Sequence, residues 1–320
     1  MSGRARNNFQ TAKPLYFQGV PVVALFVICV VLGIGLRQGR LVPPSFSTRL
    51  NRFIIVVLLP AVTLLHVHEL RIDSAILVAA AAPWLLFACG VLCFVGLGRG
   101  WGLSRETIGC LVLAAALGNT SFVGYPAILT FYGADALGVG ILSDQLGTFV
   151  ILSVFGSVTV AVASRAELHP VALTARIFKF PPFVAALLAL ALKPVEFPEP
   201  FIAFLTLVGR AFTPLALVAV GLHLQFRGWR GRERTAALGL FFKLVVGPAF
   251  VLLILRASPA AWTQASEIGV FQCAMPPMIT GALIAIEHDL DEPLATLLVG
   301  IGIPLSLVTL PLWWWMLRHL

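Results

Sequence analysis

The sequence predicts an all-α polytopic membrane protein with ten transmembrane helices. Three observations predict this fold: the composition, the length of the apolar runs and a similarity between the two halves of the chain. The 320 residues are 59% hydrophobic and 11% charged, whereas soluble domains contain roughly 25% charged residues. The apolar runs approach or exceed the roughly 20 residues that cross the hydrocarbon layer of a bilayer.

Glycine, proline and charged residues divide the apolar runs into ten predicted helices. Their connections are short, which indicates one membrane domain. We predict a polar N-terminal tail at 1–19, a first five-helix repeat at 20–163 and a second at 174–317. The predicted spans are 20–36, 47–66, 75–97, 107–131, 138–163, 174–193, 200–225, 235–256, 263–287 and 293–317.

Lysine and arginine are distributed unequally between the two sets of connections, and this bias predicts the orientation. Twelve lie in the set that we assign to the cytoplasm, namely Arg37, Arg40, Arg49, Arg99, Arg105, Arg165, Arg176, Lys179, Arg227, Arg230, Arg232 and Arg234. Seven lie in the opposite set, namely Arg4, Arg6, Lys13, Arg71, Lys193, Arg256 and Arg318. Both termini are therefore expected outside the cytoplasm.

Prolines recur at corresponding places in the two halves. Pro60 and Pro214 are 154 residues apart, and Pro126 and Pro277 are 151 apart. Because each half has an odd number of helices, the second half enters the membrane from the opposite face. This arrangement is an inverted-topology repeat, which is typical of secondary transporters.

The fourth and ninth predicted helices are interrupted near their middle, where prolines remove backbone donors. Such breaks in lipid indicate a site buried in protein or lining a cavity. We expect half-helix N-termini just after Pro126 and after Pro276 and Pro277, with Asn119 at the end of the first half-helix. Helix N-termini carry free N–H groups and partial positive charge, so these would bind an anion such as a carboxylate.

Three charged residues fall inside predicted spans, where charge is costly and indicates function. Arg210 could bind a carboxylate with two parallel hydrogen bonds, and Asp144 could bind a proton or Na⁺. The alternative is that Asp144 and Arg210 pair with each other. We expect Lys243 to extend its ammonium group to the membrane interface.

The sequence contains no pattern that indicates metal binding, redox chemistry or catalysis. The five cysteines lie in apolar runs without metal or redox spacing, and we expect no metal at His66, His68 and Glu69. No motif of a hydrolase or phosphate-binding loop is visible, so the chain is not expected to be an enzyme or to hold a cofactor. The net charge of +8 reflects topology, and nucleic acid is not an expected partner.

Three stretches resemble the auxin efflux carrier family, in a bacterial-type member. They are Leu50-Asn51-Arg52-Phe53 with Pro60, the segment from Asn119-Thr120 through Gly124-Tyr125-Pro126 to Phe131-Tyr132-Gly133, and Ala274-Met275-Pro276 with Pro304 and Pro311. The resemblance implies two inverted repeats with crossing helices four and nine. It also implies a substrate such as indole-acetate, malate or malonate, and it places Asn119 at the substrate site with Pro126 and Pro276 as the crossover prolines. Plant members carry a long loop after helix five that this chain lacks, so auxin itself is not the expected substrate.

The sequence therefore predicts a secondary transporter in the cytoplasmic membrane that exports a small organic anion by alternating access. The candidate substrate-binding residues are Asn119, Thr120, Gly124, Pro126, Gln272, Met275, Pro276, Pro277 and Arg210, with Asp144 as the candidate coupling residue. Expected partners are the anion, the bilayer and, as one option, a second copy of the chain. Two alternatives stay open, a Na⁺-coupled symporter of the bile-acid type and a membrane sensor with the same fold.

Overall fold

The computed structural model describes residues 22–43, 45–164, 177–224, 231–257 and 262–320. The predicted N-terminal tail and the link between the two predicted repeats lie outside these ranges. All named elements of the described residues are helices, in agreement with the predicted all-α class. We number them α1 Val22–Gln38, α2 Ser45–Glu69, α3 Ser74–Gly100, α4 Arg105–Ala115, α5 Thr120–Phe131, α6 Ala134–Ser164, α7 Pro181–Ala191, α8 Glu199–His223, α9 Glu233–Arg256, α10 Gln264–Cys273, α11 Ile279–Glu287 and α12 Glu292–Arg318.

Six of these helices are long and apolar enough to cross a membrane, namely α2, α3, α6, α8, α9 and α12. The helices α4 and α5 together cover the fourth predicted span, and α10 and α11 cover the ninth. These two spans are therefore interrupted, at 116–119 and at 274–278.

Three of the prolines inside helices follow a π-helical segment and do not end the helix. A proline ring clashes with the carbonyl group four residues earlier, and a wider π-helical turn provides room for the ring. The π-helical segments and the prolines that follow them are Ile54–Leu58 with Pro60, Thr120–Gly124 with Pro126, and Phe242–Val246 with Pro248.

The helices α1 and α8 approach each other at a pair of glycines. A Cβ atom at Gly33 would lie 2.2 Å from the carbonyl oxygen of Val218, and one at Gly221 would lie 2.2 Å from that of Val30. Small residues allow such close packing between helices in lipid. Arg37 adds a hydrogen bond from Nη1 to the carbonyl oxygen of Leu222 at 2.6 Å.

Asp291 connects the first turns of three helices. Its carboxylate accepts hydrogen bonds from Thr107 Oγ1 of α4 at 2.8 Å, from the backbone N–H of Leu294 at 3.3 Å and from Arg232 Nε, just before α9, at 3.2 Å. The side chain thus caps α12 and forms an ion pair with Arg232. The starts of α4, α9 and α12 consequently lie at one end of the molecule.

Candidate functional site

The two interrupted spans meet at their interruptions. The backbone N–H of Asn119 donates to the carbonyl oxygen of Pro276, and that of Met278 donates to the carbonyl oxygen of Ala114, both at 2.9 Å. Gly118 and Pro277 form an antiparallel bridge. We call the paired segments 116–119 and 274–278 the crossing. The pairing satisfies backbone groups that a broken helix would otherwise leave without partners in lipid.

The second half-helix of the fourth span begins earlier than the sequence predicted. It begins at Thr120, where Asn119 is the N-cap and its Oδ1 accepts from the N–H of Phe122 at 3.2 Å. The prediction that this half-helix follows Pro126 is wrong, because the π-helical turn accommodates Pro126. The prediction that Asn119 ends the first half-helix is also wrong. The first half-helix, α4, already ends at Ala115, and Asn119 instead caps the start of α5.

The corresponding half-helix of the ninth span begins where it was expected. It starts at Ile279, just beyond Pro276 and Pro277, and its N-cap Met278 supplies no side-chain hydrogen bond. The first N–H groups of α11 therefore have no side-chain cap. Two half-helices, α5 and α11, thus begin directly at the crossing.

Asn119 brings an unpaired donor into the crossing. The residue is 4% exposed, and its Nδ2 has no hydrogen-bond partner among the residues that the structure describes. An unpaired buried amide costs about 1–3 kcal/mol. A carboxylate oxygen would satisfy this donor, while Oδ1 continues to cap α5.

Gln272 connects the two interrupted spans to α6. It is fully buried, and its Nε2 donates to the carbonyl oxygens of Gly140 at 3.1 Å and Thr120 at 3.5 Å. A Cβ atom at Gly124 would lie 2.3 Å from Gln272 Oε1. Only glycine therefore leaves room for this glutamine between α5 and α10.

Asp144 of α6 contacts the first turn of α5 and is 2% exposed. Its carboxylate accepts hydrogen bonds from Thr120 Oγ1, from Ser121 Oγ at 2.7 Å, from the Tyr125 hydroxyl at 2.6 Å and from Gln145 Nε2 at 3.1 Å. All four donors are neutral. Asp144 is thus held by polar groups of α5 and by its own neighbour Gln145.

The expected pairing of Asp144 with Arg210 is not found. Within the described part of the chain, Arg232 forms an ion pair with Asp291, and none joins Asp144 to Arg210. Arg210 is exposed at the middle of α8, and the residues that hold Asp144 do not include it. The other predicted substrate residues lie in the crossing, in the half-helix α5 that begins there or, for Gln272, at the end of α10.

Lys243 was not expected at the site. Its side chain is 0% exposed, and its Nζ donates to the carbonyl oxygen of Cys273, the last residue of α10, at 2.8 Å. A Cβ atom at Gly118 would lie 3.1 Å from this Nζ. The prediction that Lys243 extends to the interface is wrong, because the residue lies ten positions beyond Glu233, about 15 Å along α9.

His68, at the end of α2, contacts the segment that follows α7. His68 Nε2 lies 3.0 Å from the carbonyl oxygen of Leu192 and 2.9 Å from that of Val195, and its ring stacks on Phe197. No group of three His, Cys, Asp or Glu side chains suited to a metal occurs among the described residues. His68 instead connects α2 to the segment that follows α7.

Comparisons with known proteins cover almost the whole chain. The family model described as "Membrane transport protein" matches residues 19–314. An uncharacterized transporter of Methanocaldococcus jannaschii is 24% identical over 308 residues, which cover 93% of this chain and 98% of that protein. An uncharacterized transporter of Methanothermobacter thermautotrophicus is 26% identical over 308 residues, with the same coverage.

Proposed function

Since the chain belongs to the auxin efflux carrier family of membrane transport proteins, we propose that it is a secondary transporter which exports a small carboxylate by alternating access. The observation that carries the proposal is the crossing, where two half-helices begin beside the unpaired Nδ2 of Asn119. Half-helix N-termini near the middle of a membrane suit anionic groups of a substrate. A crossing without an arginine of its own also suits a carrier, because the substrate must leave again.

We propose ten helices in two inverted repeats of five, with both termini outside the cytoplasm. Contacts between helix ends support this topology. Asp291, Thr107 and Arg232 meet at the face that the charge bias assigns to the cytoplasm. At the other predicted face, Lys193 donates to the carbonyl oxygen of Leu70. In both groups the joined ends belong to the same predicted face.

The substrate reaches the crossing from one membrane face at a time in this proposal. Asn119 and Thr120 are buried, whereas Ser121 and Phe122 of the first turn of α5 are partly exposed. This burial supports an occluded arrangement in which Ser121 and Phe122 lie nearest to an opening beside α5. Movement of the interrupted helices against α1, α2, α7 and α8 would open the crossing.

Asp144 and Lys243 are the proposed coupling groups. Unwound carbonyls and half-helix C-termini are where transporters coordinate a coupling cation. Lys243 supplies an ammonium group at such a place, the carbonyl of Cys273. The ammonium group therefore occupies the position that a coupling Na⁺ would take. This argues against the Na⁺-coupled alternative. Asp144 is the group that takes up or releases a proton as its contacts with Thr120 and Ser121 change.

Arg210 is proposed to contact the substrate at a second position, outside the crossing. Its exposed guanidinium at the middle of α8 is a contact for the anion outside the crossing. Arg210→Lys keeps the charge but loses the planar fork, so it should weaken apparent affinity if the contact is bidentate. Normal affinity in this variant would remove Arg210 from the site.

The test is transport by purified protein in proteoliposomes. A panel of radiolabelled mono- and dicarboxylates is offered with counter-substrate inside, alongside uncharged compounds of the same size. We expect saturable exchange of at least one carboxylate, unchanged when Na⁺ is replaced by K⁺. Exchange that requires a Na⁺ gradient would establish the symporter instead. Exchange of the neutral compounds alone would contradict the proposed substrate class.

A further inference from the structure

An apolar groove runs along α3, and no residue of the crossing lines it. It has a volume of about 1020 Å³ and lies between α3, the start of α4 and the end of α6. Its walls are largely aliphatic and aromatic side chains, among them Phe87, Val91, Val95, Ile108, Val158 and Val162. Such a surface takes up hydrocarbon and not a charged substrate.

One end of the groove carries positive charge. Arg99 and Arg105 line that end, both are exposed, and neither guanidinium has a hydrogen bond or ion pair within the described part of the chain. The neighbouring carboxylate of Glu106 does not line the groove. Trp101 lies between the two arginines in sequence and is 58% exposed. Tryptophan is enriched at the membrane–water interface, which places this end at headgroup level.

The opposite end of the groove is lined by aromatic side chains. Trp84 lies there, packed edge-on against Phe155 with ring centroids 6.0 Å apart. The indole Nε1 of Trp84 is already satisfied, since it donates to the carbonyl oxygen of Leu146 at 3.1 Å. This end therefore presents ring carbons and no free donor.

The length of the groove matches one leaflet. Arg99 and Trp84 are fifteen residues apart on α3, which is about 22 Å at a rise of 1.5 Å per residue. A bilayer with its headgroups is roughly 40–45 Å thick, so one leaflet is about 20–22 Å. A lipid whose phosphate lies at the arginines would thus extend its chain to the tryptophan.

We propose that this groove is a binding site for one anionic phospholipid. Its acyl chain lies between α3, α4 and α6, and Arg99 and Arg105 bind its phosphate. Guanidinium groups bind phosphate oxygens in a bidentate manner, and basic pockets between transmembrane helices bind anionic headgroups. The same helix α3 packs against α10, so a bound lipid supports a helix that contacts the crossing.

The experiment measures lipid binding to the delipidated, purified full chain by native mass spectrometry. The probes are phosphatidylglycerol and phosphatidylcholine with identical acyl chains. We expect one phosphatidylglycerol to bind more tightly than phosphatidylcholine. The double variant Arg99→Gln/Arg105→Gln should weaken phosphatidylglycerol binding by about tenfold to thirtyfold, since each arginine near an anionic headgroup contributes about a factor of five.

The matched control is Arg49→Gln/Arg52→Gln, which removes two exposed arginines near the start of α2 that do not line the groove. This variant should bind phosphatidylglycerol as the wild type does. Val95→Trp places a bulky side chain in the wall of the groove and keeps both arginines, and it should also weaken lipid binding. Equal binding of the two lipids by the wild type, or an equal loss in the two arginine variants, would overturn the proposal.

Discussion

Gly124→Ala tests whether the crossing is packed as tightly as the structure indicates. The added Cβ would lie 2.3 Å from Gln272 Oε1 and 3.2 Å from its Cδ. Gln272 must then move, and its hydrogen bonds to Gly140 and Thr120 are lost or lengthened. Overpacking of a well-packed interior costs about 1–3 kcal/mol, and we expect a loss of that size in the free energy of unfolding.

The assay is a double-mutant cycle on purified protein, unfolded by titration with a denaturing detergent. Gln272→Ala removes the side chain that the new methyl group would meet. The double variant Gly124→Ala/Gln272→Ala should therefore be no less stable than Gln272→Ala alone. Gly96→Ala is the control, because nothing lies within 4 Å of a Cβ at Gly96, and it should not be destabilised. Additive losses in the double variant would refute the inferred contact.

Three further predictions concern charges and topology. Lys243→Met should reduce carboxylate exchange at least tenfold in folded protein, because the fixed cation at Cys273 is lost, and unchanged exchange would remove Lys243 from the coupling scheme. Asp291→Ala should lower the free energy of unfolding by about 2–4 kcal/mol, the sum of a helix cap and a hydrogen bond to a charged group, whereas Glu287→Ala, which alters an exposed carboxylate, should change it by less than about 0.5 kcal/mol. Reporter fusions that are active only in the cytoplasm should stay silent at either terminus, and a signal from either end would contradict the proposed orientation.

Much of the architecture could be predicted from local sequence. Apolar runs bounded by glycine, proline and charge give the long helices, because crossing a bilayer requires about 20 apolar residues. The interruption of the ninth span could be expected as well, since the two consecutive prolines Pro276 and Pro277 disfavour a continuous helix. The family of the chain is confirmed by the match over residues 19–314.

The exact start of the half-helix α5 could not be predicted in this way. Proline chemistry predicts a break at Pro126, but a π-helical turn before Pro126 accommodates the ring. The true break lies at Gly118 and Asn119, where the chain pairs with residues 157 and 159 positions away. Nothing in the local sequence shows that pairing.

The side-chain partners at the site depend on tertiary packing. Asp144 was expected to meet Arg210, yet the start of α5 supplies neutral donors instead, from Thr120, Ser121 and Tyr125. Lys243 was expected at the interface because lysine is flexible. Its depth of ten residues within α9 was the available signal that it lies at the crossing.

The most direct test of the transport site is the affinity of Asn119→Ala for the carboxylate that the panel identifies. Asn119 Nδ2 is the buried donor without a partner within the described chain, and loss of a hydrogen bond to a charged group costs about 1.5–3 kcal/mol. Affinity should fall roughly tenfold to a hundredfold. Asn51→Ala, whose side chain contacts His223, should bind the carboxylate normally.

Unfolding is measured alongside, because Asn119→Ala also removes the cap of α5. Asn119→Asp keeps the capping oxygen and replaces the amide donor, and it should lose the carboxylate as well. We predict that both variants stay folded and bind at least ten times more weakly than the wild type. Wild-type affinity in a folded Asn119→Ala or Asn119→Asp protein would contradict the assignment of the crossing as the substrate site.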